Sequence, residues 1–216
     1  MPRYHQRLAS EMLGAAFLLA TVVGSGIMAE LLAGGNGALA LLANSLATGA
    51  GLIALILVFE PISSHFNPVV TLWFAINREM PWWEVPGYIA AQTIGALIGV
   101  AAAHAMFGLA VFSASSKMRS GMAQTFAEFI ATLGLLLVVA SISKHRRNAM
   151  PYAVGAYITA AYWFTASTSF ANPAVTLARA TTATFTGIRL EDTGSFILSQ
   201  TAALLIAVLI CRWLFR

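Results

Sequence analysis

The residues with most chemistry to offer in this chain of 216 are two Asn-Pro pairs, Asn67-Pro68 and Asn172-Pro173, and two carboxylates, Glu11 and Glu128, set in apolar runs. Proline suits the first turn of a helix, where its missing N–H would have had no partner and its fixed φ is already helical. Asparagine just before it is among the best helix caps. Each pair therefore predicts a helix beginning, with an electropositive N-terminus of roughly half an elementary charge. A single Asn-Pro marks no more than a turn or a helix start. Here two copies share Asn-Pro-x-Val-Thr-Leu, at 67–72 and 172–177, with Val69 at the variable place in one and Ala174 in the other. If the two helix starts face one point inside a membrane, their fields disfavour cations there, hydronium included, and the asparagine amides donate to a passing solute oxygen.

A carboxylate inside a membrane helix costs at least about 2.5 kcal/mol on insertion scales and has a partner or a function. Glu11 and Glu128 fit two roles: bracing neighbouring backbone, which we favour, or relaying protons in an ion-coupled transporter. His65, two residues before Asn67, fits either a pH-sensitive pore liner or a hydrogen-bonded loop histidine. His5, His65, His104 and His145 are dispersed, and no nucleophile, base and orienting group recur at a plausible spacing, so we expect no enzyme. Cys211 is the only cysteine, which excludes an intrachain disulfide and a thiolate cluster. No metal and no cofactor are expected.

The elements that must position these residues follow from composition. Hydrophobic residues make up 59% of the chain and charged residues 9%, against about 25% charged in soluble domains. Apolar stretches fall at roughly 9–29, 38–59, 85–112, 122–142, 150–166 and 195–214, most near the ~20 residues that span a bilayer core. They leave no room for a soluble domain, and the first is too long for a signal peptide and lacks a cleavage site. The formal charge of +4 comes from basic residues scattered singly except for the cluster Lys144, Arg146 and Arg147, which argues against nucleic acid. With a cytoplasmic N-terminus, Arg3, Arg7, Arg78, Lys144, Arg146, Arg147, Arg212 and Arg216 fall inside, and Lys117, Arg119 and Arg189 outside. That asymmetry predicts both termini in the cytoplasm. Asn67 and Asn172 lie 105 residues apart and Glu11 and Glu128 lie 117 apart, so the chain reads as two repeats, about 1–112 and 113–216, in one domain of 1–216. Three spans per repeat invert the second against the first. The runs of about ten residues after each Asn-Pro are too short to span and read as re-entrant half-helices.

The motif His65-Phe66-Asn67-Pro68-Val69-Val70-Thr71-Leu72, with Asn172-Pro173-Ala174, Glu11 and Glu128, resembles the major intrinsic proteins, the aquaporin and aquaglyceroporin family, over nearly the whole chain. The resemblance implies an all-α membrane protein of six transmembrane helices and two re-entrant half-helices, one pore per subunit, a homotetramer, and bracing by Glu11 and Glu128. It departs in three places. Val69 stands where the family usually has Ala, and the loop 62–66 is one residue shorter than Ile-Ser-Gly-Ala-His-Phe. Val175 stands where water- and glycerol-conducting relatives have the Arg of their selectivity filter. The remaining filter positions would be Thr48, Ala160 and Ser169, which with Val175 make four small side chains with no fixed cation, hence a wide outer constriction. Arg179, four residues after Val175, either reaches back over the pore or snorkels outward, and we expect the latter. Phe170-Ala171-Asn172-Pro173-Ala174-Val175 resembles bacterial channels associated with arsenic resistance. The function expected is a passive channel in a bacterial inner membrane for small uncharged solutes: trivalent or methylated arsenicals, glycerol-like polyols and water. The alternatives are a conventional water and glycerol facilitator and an ion-coupled transporter.

Overall fold

The structure is a computed structural model that describes residues 2–215. Eight α-helices follow in order: α1 Tyr4–Leu32, α2 Gly37–Phe59, α3 Pro68–Ile76, α4 Val85–Met106, α5 Met122–His145, α6 Met150–Phe164, α7 Pro173–Arg179 and α8 Leu190–Leu214. Five of the long helices, α4 counted with its preceding 3-10 turn, are long and apolar enough to cross a membrane. The sixth span, α6, has 15 residues and follows a 3-10 turn at Arg147–Ala149. α3 and α7, of 9 and 7 residues, are the two half-helices.

Several of the expected boundaries move, α1 beginning five residues early at Tyr4. The third apolar stretch stops being helical at Met106, because Gly108 takes a φ of 67° and the chain from there runs as loop. That loop is held at the far end of the bundle, where Ser113 and Ser115 donate their N–H to the carbonyls of Thr181 and Ala180. The last helix begins at Leu190, five residues early, with Glu191 and Asp192 in its first turn, where carboxylates face the positive end of the helix.

The bundle closes through small residues. α1 packs on α2 and α4, α5 on α6 and α8, and α2 on α6. At the α1–α4 crossing a Cβ on Gly95 would overlap the Met12 carbonyl, and one on Gly99 the Ala16 carbonyl. At the α2–α6 crossing a Cβ on Gly155 would stand 2.7 Å from the Gly49 carbonyl. Side chains there would push the helices apart, so glycine sets the interaxial distance. Arg147 pairs with Glu60, and Lys144 donates to the Phe215 carbonyl, which places the ends of α2, α5 and α8 together. We call this the terminal end, and the opposite one, with the 107–121 and 180–189 loops, the far end.

Candidate functional site

Both half-helices begin inside the bundle, capped by their asparagines. Asn67 has an extended backbone and its Oδ1 accepts the Val69 N–H at 3.1 Å. Asn172 does the same toward Ala174 and Val175 at 3.0 and 3.2 Å. The amide nitrogens then cross between the halves: Asn67 Nδ2 donates to the Ala171 carbonyl and Asn172 Nδ2 to the Phe66 carbonyl, each at 2.8 Å. Those acceptors are presented by left-handed backbone, φ 49° at Phe66 and 47° at Ala171, a conformation that is uncommon for residues with a Cβ and persists where surrounding contacts enforce it. An amide nitrogen has two hydrogens, and the second of each asparagine has no partner among the described residues.

The contacts that enforce the loop come from Glu11 and Glu128. Glu11 Oε1 accepts the Ser63 hydroxyl at 2.6 Å and the His65 N–H at 2.8 Å, and its Oε2 accepts the Phe66 N–H and the Gln92 amide, both at 2.7 Å. Glu128 accepts the N–H groups of Phe170 and Ala171, each at 2.8 Å, and the Gln200 amide at 2.7 Å. Both carboxylates are fully buried. The two glutamines also reach the half-helices, Gln92 to Thr71 Oγ1 at 2.9 Å and Gln200 to Thr176 Oγ1 at 3.0 Å. The two glutamines escaped the sequence reading. A signal was present: α4 and α8 share Gln-Thr-x-x-x-Leu at 92–97 and 200–205.

One cavity of about 420 Å³ runs past the two asparagines, touching Arg7, Glu60 and Arg147 at the terminal end and Tyr162 and Arg179 at the far end. Its walls are apolar rows one helical turn apart: Leu18 and Val22 on α1, Leu135 and Val139 on α5, Leu52 and Ile56 on α2. The polar side is the re-entrant chain at 62–67 and 169–172. Val70 and Val175 face it at matching places, three residues after each asparagine, while Pro68, Val69, Pro173 and Ala174 stand behind, with Val69 and Ala174 buried. His65 lines the terminal side, with Nδ1 3.2 Å from Thr71 Oγ1.

Of the four filter positions, Thr48, Ser169 and Val175 line the cavity and are buried. Ala160 does not: it lies on the exposed side of α6, and the cavity wall of that helix is Val154, Ile158 and Tyr162. The Tyr162 hydroxyl lies 3.3 Å from Thr48 Oγ1. The expectation for Arg179 is also corrected. Its side chain does not snorkel: it is 2% exposed, lines the cavity, lies over the Phe170 ring and donates through Nε to the Thr186 carbonyl. The far end therefore carries a fixed cation, the alternative that the sequence reading disfavoured.

A second guanidinium stands beside it. Arg119, from the 107–121 loop, donates to the Gly187 and Ser167 carbonyls at 2.9 and 3.0 Å and lies 5.0 Å from the Phe170 centroid. Burial pulls its pKa down to about 10, and burial with the neighbouring guanidiniums pulls Lys117 down to about 8. Both remain protonated at neutral pH.

An amphipathic passage threaded between two opposed helix starts, inside a bundle of membrane-length helices, defines a membrane channel rather than an enzyme. The model of the family described as Major intrinsic protein matches residues 2–169, and the chain belongs to that family. It is 46% identical over 98% of its length, and 91% of the relative's, to aquaglyceroporin AqpS of Rhizobium meliloti (strain 1021). It is 33% identical to aquaglyceroporin-3 of Trypanosoma brucei brucei over 69% of this chain and 56% of that protein. The X-ray structure of the aquaglyceroporin from Plasmodium falciparum superposes with a TM-score of 0.75 over 98% of this chain and 95% of that one, at 20% identity, a likeness of fold.

Proposed function

We propose that the chain is a passive channel for small uncharged solutes larger than water, namely polyols such as glycerol and neutral trivalent or methylated arsenicals of similar shape, with water passing as well. The observation that carries this reading is the cavity itself: two asparagine amides and a ladder of loop backbone on one side, aliphatic rows on the other. A solute with hydroxyls on one face and carbon on the other finds both partners there, and a bare cation meets two positive helix ends. Val175 leaves the first turn of α7 without a charged side chain where the family resemblance expects arginine, which favours solutes wider than water. One chain forms one channel unit, the assembly is a homotetramer, and the membrane is a bacterial inner membrane with the terminal end toward the cytoplasm. The relatives named for glycerol conduction support the solute class.

A conventional water and glycerol facilitator is the second reading, favoured by Arg179 in the cavity wall. An ion-coupled transporter is disfavoured, because both membrane carboxylates are occupied by backbone N–H donors. The test is stopped-flow swelling of proteoliposomes in glycerol, methylated arsenical and water gradients. We expect all three rates to exceed those of empty liposomes. Acceleration of water alone would leave only a water channel.

A further inference from the structure

The two half-helices each lay a side chain over a ring. Seven residues after its capping asparagine, α3 carries Phe74, which stacks on His65 with centroids 4.6 Å apart and planes 4° from parallel. Seven residues after its own asparagine, α7 carries Arg179, whose guanidinium carbon lies 3.4 Å from the centroid of Phe170. His65 and Phe170 hold equivalent places too, two residues before each asparagine. All four line the cavity. The inverted repeats thus build a collar at each end of the passage from the same pair of positions, and only the far collar contains a permanent cation.

Arg179 is bound at one side only. Its Nε donates to the Thr186 carbonyl, and its terminal nitrogens have no hydrogen-bond partner among the described residues yet are not sealed from the cavity. Neither it nor the Arg119 guanidinium has a carboxylate partner among the described residues. A buried, unpaired charge is costly unless something solvates it, so the terminal N–H groups must be served by what passes through the cavity. Helical side chains lean toward the N-terminus of their own helix. Arg179, one turn beyond Val175, accordingly leans back over the turn containing Val175.

We infer that Arg179 is the specificity-determining residue of the far constriction, supplying from the second turn of α7 the cation and donors that Val175 does not. Its free N–H groups donate to the hydroxyl oxygens of small uncharged polyols, and Thr48 and Tyr162 offer hydroxyls from the walls of α2 and α6. Its charge excludes cations, and its bulk sets the largest polyol admitted. The inference rests on the channel reading above.

The experiment reconstitutes the full chain in proteoliposomes and measures permeability to water, glycerol, a pentitol and a hexitol, together with sodium leak. Arg179→Val is expected to raise the pentitol-to-water ratio by about tenfold, the scale of one misfit group in a pocket, and to open a sodium leak. The double variant Arg179→Val with Val175→Arg returns a cation and bulk to the passage without restoring the bond to Thr186, and the ratio is expected to fall back. An unchanged ratio in Arg179→Val at equal insertion would overturn the inference. So would a double variant as permissive as the single one, since Arg179 would then act only by anchoring the 180–189 loop. If Arg179→Val does not insert, the neutral Arg179→Gln decides by its sodium leak: a leak above the parent supports the inference and none overturns it. In the parent, a hexitol as permeant as glycerol would exclude a narrow far collar. A parent no more permeable than empty liposomes to water or glycerol would remove the channel reading and this inference with it.

Discussion

Each capping asparagine divides its side chain between two tasks, the oxygen fixing the half-helix and the nitrogen bridging to the other half. Replacing Asn172 by Asp keeps the cap and removes the donor, leaving a carboxylate oxygen against the Phe66 carbonyl. We expect glycerol flux to fall by about tenfold, a barrier increase of about 1.4 kcal/mol, with insertion little changed; swelling assays normalised to inserted protein check it. Val175, buried in the cavity wall three residues after Asn172, makes a sharper case. Val175→Arg adds a further guanidinium and its bulk beside Arg179, so pentitol permeability should fall more than water permeability. Equal losses would mean disturbed packing, and no loss would mean that side chains at 175 do not restrict the passage.

The half-helices are positioned by long helices rather than by their own stability, since 9 and 7 residues are below the length at which isolated helices persist. Glu128 and Gln200 hold one, Glu11 and Gln92 the other. Glu128→Gln turns an acceptor oxygen into a donor facing a backbone N–H, and leaving buried groups unpaired costs about 1–3 kcal/mol or more. We expect a lower midpoint in a detergent thermal melt and slower flux, with no change in dependence on a proton gradient. The crossings are equally exacting. A side chain at Gly155 meets Ile53 and the Gly49 carbonyl, and overpacking costs about 1–3 kcal/mol where side chains can yield. Because backbone cannot yield as readily, Gly155→Val should lower the melt midpoint by several degrees and reduce insertion. Two errors of the sequence reading arose at this scale. A slip of two residues along α6 turns a side chain by roughly 200°, enough to exchange exposed Ala160 for cavity-lining Tyr162. The Gln-Thr pairs of α4 and α8 were visible as a repeat, but their partners lie on other helices and have no local signature.

Across the whole molecule, the inverted repeats yield a passage in which each half completes the other, Asn67 bonding the second half and Asn172 the first. Nothing in that arrangement needs a second conformation for transport. Glycerol flux should therefore be indifferent to a protonophore and to sodium, and accumulation against a gradient would count against a passive channel. Much of this architecture was legible in the sequence because local rules fix it. Span length follows from bilayer thickness, Asn-Pro fixes a helix start, and an odd number of spans per repeat inverts the second half. The position of Arg179 was not of that kind. An arginine at a helix end snorkels or reaches back with equal local ease, and the choice here falls to the 180–189 loop, which places the Thr186 carbonyl and the Phe170 ring around the guanidinium. The sequence alone determined where the half-helices begin, because a cap acts within three residues. The tertiary structure alone decided which side chains line the passage, because that depends on the rotation of α6 and the fold of a distant loop.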